Sequence, residues 1–489
     1  MINFNLIVCY CNKNGIGRNN CIPWRINDDL KHFKFITTST HNLIENFKNI
    51  VIMGRNTWES IPKEHRPLKD RINIVLSSQK RFLDSDKVDY IGSSFENIIN
   101  YLELEMSLEN INSMSNIFVI GGELLYKYVL ENYSSNINKI YVTELYASIT
   151  CDKFFPVIDN NKFFIKKVSN FKKEKDMYFR YFTYEKRESE NDKYINKEED
   201  NYKDFIKNIL NNGIERVDRT GVGTISLFGH PTLKYDLSET FPLCTIKRGF
   251  LRAVFEELML YIRGQTDNEI LKSKKINIWN GNTSREFLDS RGLTNYPEGD
   301  MGETYGFNMR HFAGEYKNCK TKYDSNNGFD QLKYVIDLIK NDPQSRRILI
   351  NLWNPNTLHK AALPSCLMQY QFYVDTKNKK LNLQIYLRSS DVFLANNWNV
   401  CTGSLFVHLI CNLKDINLTP GYITIVCGDA HIYKNHVEHA KNMINRESFP
   451  FGKLVVKKKY DSIEDFVYED ISLIGYKSHP NDFKATMAI

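Results

Sequence analysis

The sequence predicts an α/β domain at the N-terminus, followed by a second globular domain. Short apolar runs alternate with helix-like stretches through residues 1–185, which is the pattern of a sheet with flanking helices. Residues 186–199 are rich in charge and poor in apolar side chains, so we predict a short linker there. The length of 489 residues allows roughly two to four domains, each able to bury a core.

Four apolar runs in the first domain are predicted to be buried strands. They cover residues 6–10, 50–53, 72–76 and 117–120. The last run is followed by Gly121-Gly122 and then by apolar residues 124–126 at helical spacing. A strand, glycines and a helix N-terminus together form a phosphate cradle, although a plain turn has the same pattern.

A helix is predicted at the start of the second domain, which we place at residues 200–489. Its apolar residues recur at helical spacing, at Tyr202, Phe205, Ile206, Ile209 and Leu210. We find no internal repeat and no long insertion in the sequence.

Cys366 lies between two arginine sites, Arg346-Arg347 before it and Arg388-Ser389 after it. A thiol attacks as its thiolate, and nearby cations favour the thiolate by lowering the thiol pKa. Guanidinium groups also match the oxygens of a phosphate in pairs. This combination predicts covalent chemistry on a phosphorylated small molecule. The alternative, from these residues alone, is a buried structural cysteine with scattered surface arginines.

The segment around Cys366 resembles the thymidylate synthase family. It is similar to the strand that carries the family's nucleophile, and further motifs follow the family's order over about residues 200–489. They are residues 218–224, 257–258, 278–279, 300–302, 305–306, 363–366, 369–372, 399, 428–433 and 487–489. This many ordered motifs is far more specific than any single one.

The resemblance implies an α+β fold with a mixed sheet, and conversion of dUMP and 5,10-methylenetetrahydrofolate to dTMP and dihydrofolate. Cys366 would add to C6 of the uracil, Glu257 would organise water for proton transfers, and Tyr305 would assist proton removal at C5. The nucleotide-binding positions that match are Arg219, Arg346, Arg347, Arg388, Ser389, Asp391, Asn399, His431 and Tyr433. Those on the folate side are Trp279, Asn280 and Asp391.

The sequence departs from this family at several positions. We expect these departures to alter the kinetics on the folate side more readily than to abolish activity. They are Leu367 for the usual His, Ala395 for Gly, Asn396-Asn397-Trp398 for Leu-Pro-Phe, Asn280 for Asp, Glu303-Thr304 for Pro-Val, and Met309 for Trp.

Two alternatives for the C-terminal half are a pyrimidine hydroxymethylase and a dimerisation or regulatory module. Trp279 and Asn399 argue against the hydroxymethylase, because such relatives depart from the family at these positions. Release of tritium from 5-labelled dUMP would separate the three interpretations of this half. The family is dimeric, so the resemblance implies a homodimer through this half in which Arg346 and Arg347 reach the partner's phosphate site.

Residues 3–184 resemble the dihydrofolate reductase family. The matching motifs are residues 15–17, 22–24, 29–33, 53–62, 66–68, 71, 120–122, 141–143 and 154–156. Asp29 would be the carboxylate that faces the pterin, with Asp28 as the competing candidate, although adjacent helical side chains point about 100° apart. The other folate-binding positions implied are Cys9, Phe33, Arg71 and Thr143.

The same resemblance implies NADPH as the cofactor. The positions that match the family's cofactor site are Gly17, Gly54, Arg55, Thr57, Ser77, Gly121, Gly122 and Tyr126. The family holds its Gly-Gly peptide in the cis form, which we expect here at Gly121-Gly122. Together the two resemblances identify the chain as a member of the bifunctional dihydrofolate reductase–thymidylate synthase family, whose reductase regenerates tetrahydrofolate.

Composition favours a soluble globular protein. The net charge is +7, which reflects either a lysine-rich solvated surface or attraction of anionic nucleotides and folate polyglutamates. No block of basic residues predicts nucleic-acid binding, and no apolar stretch predicts a signal peptide or membrane span. The ten cysteines lack metal-like spacing, so we expect no metal site, reduced thiols and a cytoplasmic location.

Overall fold

A computed structural model describes residues 2–39, 48–109, 111, 115–218 and 220–483. The chain forms two compact units, Met1–Tyr194 and Ile195–Ile489. None of the helices in the described part of the chain has the length and apolar character that a membrane-spanning helix needs.

The first unit is built on a nine-stranded sheet, and two more of its strands, Gly15–Gly17 and Lys153–Phe154, form a separate two-stranded sheet. Its α-helices are α1 (Asn27–Thr38), α2 (Arg55–Ser60), α3 (Phe95–Ser107) and α4 (Glu123–Asn132). Its strands are β1 (Phe4–Tyr10), β2 (Gly15–Gly17), β3 (Asn49–Gly54), β4 (Arg71–Leu76), β5 (Tyr90–Gly92), β6 (Ile117–Gly121), β7 (Ile137–Leu145), β8 (Lys153–Phe154), β9 (Phe163–Val168), β10 (Lys172–Glu174) and β11 (Met177–Lys186).

The sheet is mostly parallel, with antiparallel strands at one end. Its order is β10-β11-β7-β1-β6-β3-β4-β5, with β9 also paired to β11. The strands from β7 to β5 in this order pair in parallel, whereas β11 runs antiparallel to β7, β9 and β10. The four predicted strands are confirmed as β1, β3, β4 and β6 at the centre of the sheet.

Side chains on the central strands alternate between two apolar cores. In β3, Ile50 and Ile52 join the core that includes residues of α3 and α4, while Val51 and Met53 join the core on the opposite face with Trp58. A parallel sheet covered on both faces needs apolar residues at successive positions. This is why the strands read as continuous apolar runs in the sequence.

The second unit is built on a seven-stranded sheet, and two more of its strands, Lys453–Val456 and Ile471–Ile474, form a separate two-stranded sheet. Its α-helices are α5 (Lys197–Asn212), α6 (Leu251–Ile262), α7 (Asn268–Ser273), α8 (Arg285–Ser290), α9 (Tyr305–Arg310), α10 (Gln331–Asn341), α11 (Asn396–Cys411) and α12 (Val437–Ile444). Its strands are β12 (Ile214–Arg216), β13 (Thr224–Phe228), β14 (Leu233–Asp236), β15 (Leu349–Asn351), β16 (Leu367–Asp375), β17 (Lys380–Asp391), β18 (Thr419–Tyr433), β19 (Lys453–Val456) and β20 (Ile471–Ile474).

This sheet is mixed, and its two faces differ in exposure. β17 and β18 pair in parallel, while the other pairs are antiparallel. Leu383 and Ile423 on one face are buried in the core with α11. Tyr373, Gln384 and Tyr422 are exposed. The pattern of β17 and β18 is therefore the alternation expected when one face packs on the core.

The helix predicted at the start of the second domain is confirmed as α5. Four of the apolar residues named above are fully buried on its inner face. The helix begins at Lys197, inside the stretch predicted as linker, because the Asn196 side chain accepts from the Glu199 N–H at 3.3 Å and caps the first turn. Glu198 and Glu199 also lie in the first turn, and burial raises the pKa of both carboxyl groups.

Candidate active sites

Asp29 lies in the first turn of α1, against the neighbouring strands β1 and β7. Cys9 of β1 is in register with Thr143 of β7, and both side chains hydrogen-bond to the Asp29 carboxylate. Burial raises the pKa of Asp29, and these hydrogen bonds oppose the rise. Asp28 instead has a 46% exposed side chain, 3.7 Å from Lys31 Nζ.

Phe33 and Arg71 lie next to each other beyond Asp29. Phe33 is one helical turn after Asp29, and the Arg71 guanidinium carbon is 5.7 Å from the Phe33 ring centroid. Arg71 Nη1 donates to Thr37 Oγ1 at 2.7 Å, and that hydroxyl donates to the Phe33 carbonyl at 2.7 Å. The helix thus presents a carboxylate and an aromatic ring beside a cation whose conformation is fixed.

The glycine pair at the end of β6 forms a bare stretch of backbone before α4. The Gly121-Gly122 peptide is cis, as expected from the resemblance. A Cβ at Gly122 would lie 3.1 Å from Thr57 Oγ1, and one at Gly54 would lie 3.9 Å from the Gly122 nitrogen. Because side chains would fill this space, and a helix N-terminus follows it, the residues fit the phosphates of a dinucleotide.

The remaining predicted cofactor positions lie in different surroundings. Arg55 starts α2 and hydrogen-bonds the Gln79 side chain, while Ser77 Oγ donates to the Gln79 carbonyl at 2.8 Å. Gly17 ends β2 and pairs with Lys153. Tyr126 is buried, and its hydroxyl donates to the Ile7 carbonyl at 2.7 Å. That hydroxyl therefore anchors α4 to the central strand β1.

In the second unit, Cys366 directly precedes β16 and lies beside Arg388 of β17. The Arg388 N–H donates to the Cys366 carbonyl at 3.0 Å, and Arg388 Nη2 lies 3.9 Å from Cys366 Sγ. Arg388 Nε also donates to the Ser365 carbonyl at 2.9 Å, which fixes the guanidinium. A fixed cation at this distance favours the thiolate. Tyr305 Oη accepts from the Cys366 N–H at 2.9 Å.

Glu257 of α6 is buried among hydrogen-bond donors. Its Oε1 accepts from Tyr261 Oη at 2.9 Å and from Trp279 Nε1 at 2.8 Å, and its Oε2 accepts from Trp398 Nε1 at 2.6 Å. Burial raises the pKa of Glu257, and the three donors oppose the rise. Tyr305 stacks on Tyr261 with ring centroids 4.9 Å apart. The carboxylate and the Cys366 segment are thus linked through two tyrosines.

The parallel pair β17–β18 brings several predicted residues to one edge. Ser389 pairs with Asp429, and Asp391 pairs with His431. His431 Nδ1 lies 3.0 Å from Asp429 Oδ1, a contact that holds the pKa of Asp429 below its usual range. The His431 and Tyr433 rings lie 5.4 Å apart.

Other predicted synthase residues lie apart or outside the described chain. Asn399 of α11 donates from Nδ2 to the Ala395 carbonyl at 3.0 Å. Arg346 and Arg347 are exposed between α10 and β15, and their guanidinium groups make no hydrogen bond or ion pair with any described residue. Arg219 and the chain terminus at Ile489 lie outside the described residues.

Several of the positions that depart from the family pack or hydrogen-bond within the unit. Leu367 and Met309 are buried in its core. Asn280 Oδ1 accepts from Asn268 Nδ2 at 3.1 Å. Asn397 Nδ2 donates to the Pro242 carbonyl at 3.0 Å. Tyr261 and Trp398 were not predicted as hydrogen-bond donors to Glu257. Helical spacing from Glu257 could have indicated Tyr261. Nothing in the sequence pairs Trp398 with α6.

Each half of the chain matches a family of known proteins. Residues 3–187 match the dihydrofolate reductase family model, and residues 200–489 match the thymidylate synthase family model. Bifunctional dihydrofolate reductase-thymidylate synthases from Zea mays and Leishmania major are each 37% identical to this chain. The matches cover 98% and 99% of this chain, and 95% of each relative. A Paramecium tetraurelia relative of the same description is 37% identical over 97% of both chains.

The chain belongs to the bifunctional dihydrofolate reductase–thymidylate synthase family. It is an enzyme with both activities, which use NADPH and 5,10-methylenetetrahydrofolate. The fold predicted for each half is confirmed. The alternatives in which the C-terminal half is a hydroxymethylase or a dimerisation module receive no support from these matches.

Proposed function

We propose that Cys366 is the nucleophile that adds to C6 of dUMP in the synthase half. The contact that carries this proposal is Arg388 Nη2 at 3.9 Å from Cys366 Sγ, with the guanidinium held by backbone carbonyls. Its charge favours the thiolate, which is the attacking form. Addition at C6 makes C5 the carbon nucleophile that receives the one-carbon unit.

The proton transfers of this reaction are assigned to Glu257 and Tyr305. Burial raises the pKa of Glu257, so its carboxyl can exchange a proton nearer neutrality than an exposed glutamate can. Tyr305 bonds the nucleophile's own N–H, which places its hydroxyl beside the reacting thiol. Glu257 would organise water for the proton transfers at the uracil, and Tyr305 would assist removal of the proton at C5.

Substrate recognition in the synthase half is assigned to the remaining predicted residues. Asn399 offers an amide that both donates and accepts toward the uracil edge. Asp391 would orient the folate ring, for which Trp279 and Asn280 provide neighbouring surface. The phosphate would be held by Arg219, Arg346, Arg347, Arg388 and Ser389, and the ribose by His431 and Tyr433.

In the reductase half, Asp29 is proposed to bind the pterin and to favour its protonated form. The carboxylate lies partly buried against Thr143 and Cys9, whereas Asp28 faces lysines. Phe33 would pack on the substrate rings, and Arg71 would pair with the glutamate α-carboxylate. NADPH supplies the hydride when bound. The bare backbone at Gly54, Gly121 and Gly122 would take its phosphates, with Arg55, Thr57 and Ser77 nearby.

We also propose that two chains associate through the C-terminal half. The exposed aromatic residues Tyr373 and Tyr422 on the outer sheet face support an interface there. Arg346 and Arg347 have exposed guanidinium groups without described partners, as expected of side chains that serve the other subunit. The cytoplasmic location stays a prediction.

Replacement of Cys366 by serine tests the proposed nucleophile. Cys366→Ser should abolish dTMP formation, because a serine hydroxyl is far less acidic than a thiol, and should leave NADPH oxidation by dihydrofolate unchanged. Both activities are measured on the full chain. The matched control is Cys319→Ser, at another partly exposed cysteine, which should retain both activities. Normal dTMP synthesis by Cys366→Ser would exclude Cys366 as the nucleophile.

A further inference from the structure

One oxygen of the buried Glu257 carboxylate depends on a single tryptophan. Trp398 Nε1 donates to Glu257 Oε2 at 2.6 Å, whereas Oε1 is shared by Tyr261 and Trp279. Among the described residues, no other hydrogen bond reaches Oε2. If the Trp398 N–H were removed, this oxygen would lose its donor from the described chain while the carboxylate stayed buried.

Position 398 is one at which this sequence departs from the thymidylate synthase family, which usually has phenylalanine there. A phenylalanine ring could occupy much of the same space but has no N–H to donate. The indole reaches Glu257 from the first turn of α11, whereas the other two donors come from α6 and from the segment before α8. The contact therefore joins two helices at the carboxylate.

We infer that Trp398 is a positioning residue of the synthase reaction, which fixes the Glu257 carboxylate and favours its charged form. This inference rests on the role proposed above for Glu257. It goes further by assigning a function to a side chain that the family's usual phenylalanine cannot perform.

The electrostatics around Glu257 support this role. Burial raises the pKa of Glu257, and the hydrogen bond from Trp398 lowers it, together with those from Trp279 and Tyr261. Hydrogen bonds to charged groups are the strong ones, and low dielectric strengthens them further. Removal of this donor must therefore raise the pKa of Glu257 further.

The other titratable groups around the Glu257 carboxylate do not change charge in the pH range where carboxyl groups titrate. Tyr261, Tyr305 and Tyr370 face it from α6, α9 and β16, and burial raises the pKa of each phenol. All three therefore stay neutral where carboxyl groups titrate. Cys366 lies against Tyr305 and is unchanged in the variants below.

The test is the pH dependence of kcat for dTMP synthesis by the full chain carrying Trp398→Phe. The limb that reports Glu257 should move upward by about one to two pH units, the effect of losing one charge-assisted hydrogen bond. The direction is the same whether the reaction uses the charged or the protonated carboxyl, because either limb follows the same pKa. The KM for dUMP should change less than kcat.

Two further variants separate the N–H from the packing of the ring. Trp58→Phe in the reductase half removes an indole donor to the Leu83 carbonyl and should leave the synthase profile unchanged. Replacement of Trp398 by β-(3-benzothienyl)alanine keeps the bicyclic shape without the N–H, and should shift the profile as Trp398→Phe does. This isostere gives the answer even if Trp398→Phe folds poorly.

The Glu257→Gln enzyme distinguishes this inference from the proposed function. It should be nearly inactive, and adding Trp398→Phe should produce no further shift in the pH profile of its residual activity. If Glu257→Gln is inactive but both Trp398 variants keep the wild-type pH profile, only this inference is overturned. If the Trp398 variants instead lose the same fraction of kcat at every pH, Trp398 is a packing residue and the inference is also overturned. Normal activity of Glu257→Gln would overturn the proposed role of Glu257 itself.

Discussion

Two adjacent carboxylates, Asp28 and Asp29, differ in every property that matters for chemistry. They are consecutive on a helix, so their side chains diverge by about 100°. Asp28 lies within 4 Å of Lys31 and Lys172 at the surface, while Asp29 is partly buried beside Thr143, and burial raises its pKa. Only a charge held out of solvent can act strongly on a neighbouring ring, which is why Asp29 is the carboxylate proposed to bind the pterin.

Asp29→Asn should lower reductase activity steeply at neutral pH, because it removes the charge that favours a protonated pterin. Activity should recover partly in acid, where the substrate protonates without help. The measurement is the rate of NADPH oxidation as a function of pH, with Asp28→Asn as the matched control. A flat profile with a near-normal rate would assign the role to another residue.

The same variant should be more stable than the wild type at neutral pH. Burial raises the folded-state pKa of Asp29 above its ordinary value of 3.8. The ionised carboxylate is therefore a cost to the folded state that is absent below pH 3.8 and grows until the pH exceeds the folded-state pKa. The gain in Tm of Asp29→Asn should shrink as the pH falls, and a gain independent of pH would contradict this explanation.

At the scale of elements, the β10–β11 hairpin caps the N-terminus of α1, the helix that carries Asp29. Ile26, at the N-cap of α1, provides no side-chain cap. Glu174 of β10 accepts instead from the N–H groups of Asn27 and Asp28, at 2.9 and 3.0 Å. Because these are orphan donors of the first turn, the hairpin fixes the helix end that carries Asp29, the carboxylate proposed to bind the pterin.

Glu174→Ala should loosen this helix end and raise the KM for dihydrofolate more than it lowers kcat. Hydrogen exchange at the Asn27 and Asp28 amides should become faster, while α3 and α4 keep wild-type exchange. Glu185→Ala is the matched control, since Glu185 in β11 forms surface ion pairs with Lys139 and Lys166. Equal effects of the two variants would show that the helix does not depend on Glu174.

At the scale of the whole molecule, the synthase site is proposed to be completed by a second chain. A two-fold interface places the same surface on both subunits, so each site borrows from the other. Arg346 and Arg347 are exposed in a loop, and Cys366 is partly buried at the start of β16. A chain in which Cys366 is replaced should therefore still supply Arg346 and Arg347 to its partner.

Mixing Cys366→Ala chains with Arg346→Ala chains should restore dTMP synthesis to about one quarter of the wild-type level, since half the dimers are mixed and each has one intact site. Each homodimer alone should be poor. The Arg346→Ala enzyme loses a charge-assisted phosphate contact worth roughly 1.5–3 kcal/mol. Reductase activity serves as the internal control. No recovery, despite demonstrated subunit exchange, would mean that the arginines act within their own chain.

Much of this protein follows from its sequence because the signals are local. Continuous apolar runs predicted β1, β3, β4 and β6, since a parallel sheet buries both faces of its strands. The spacing of Tyr202 and its neighbours predicted α5 for the same reason of burial. Ordered motifs around Asp29 and Cys366 indicated both families, because chemistry restricts residue types at a few positions.

What only the tertiary structure decided are the contacts between distant segments. Trp398 meets Glu257 because α11 and α6 pack together in one core, and no periodicity encodes that pairing. Glu174 caps α1 because a hairpin near the end of the first unit folds back onto its first helix. Sequence patterns report which face of an element is buried, whereas the partner across that face is set by the packing of the whole unit.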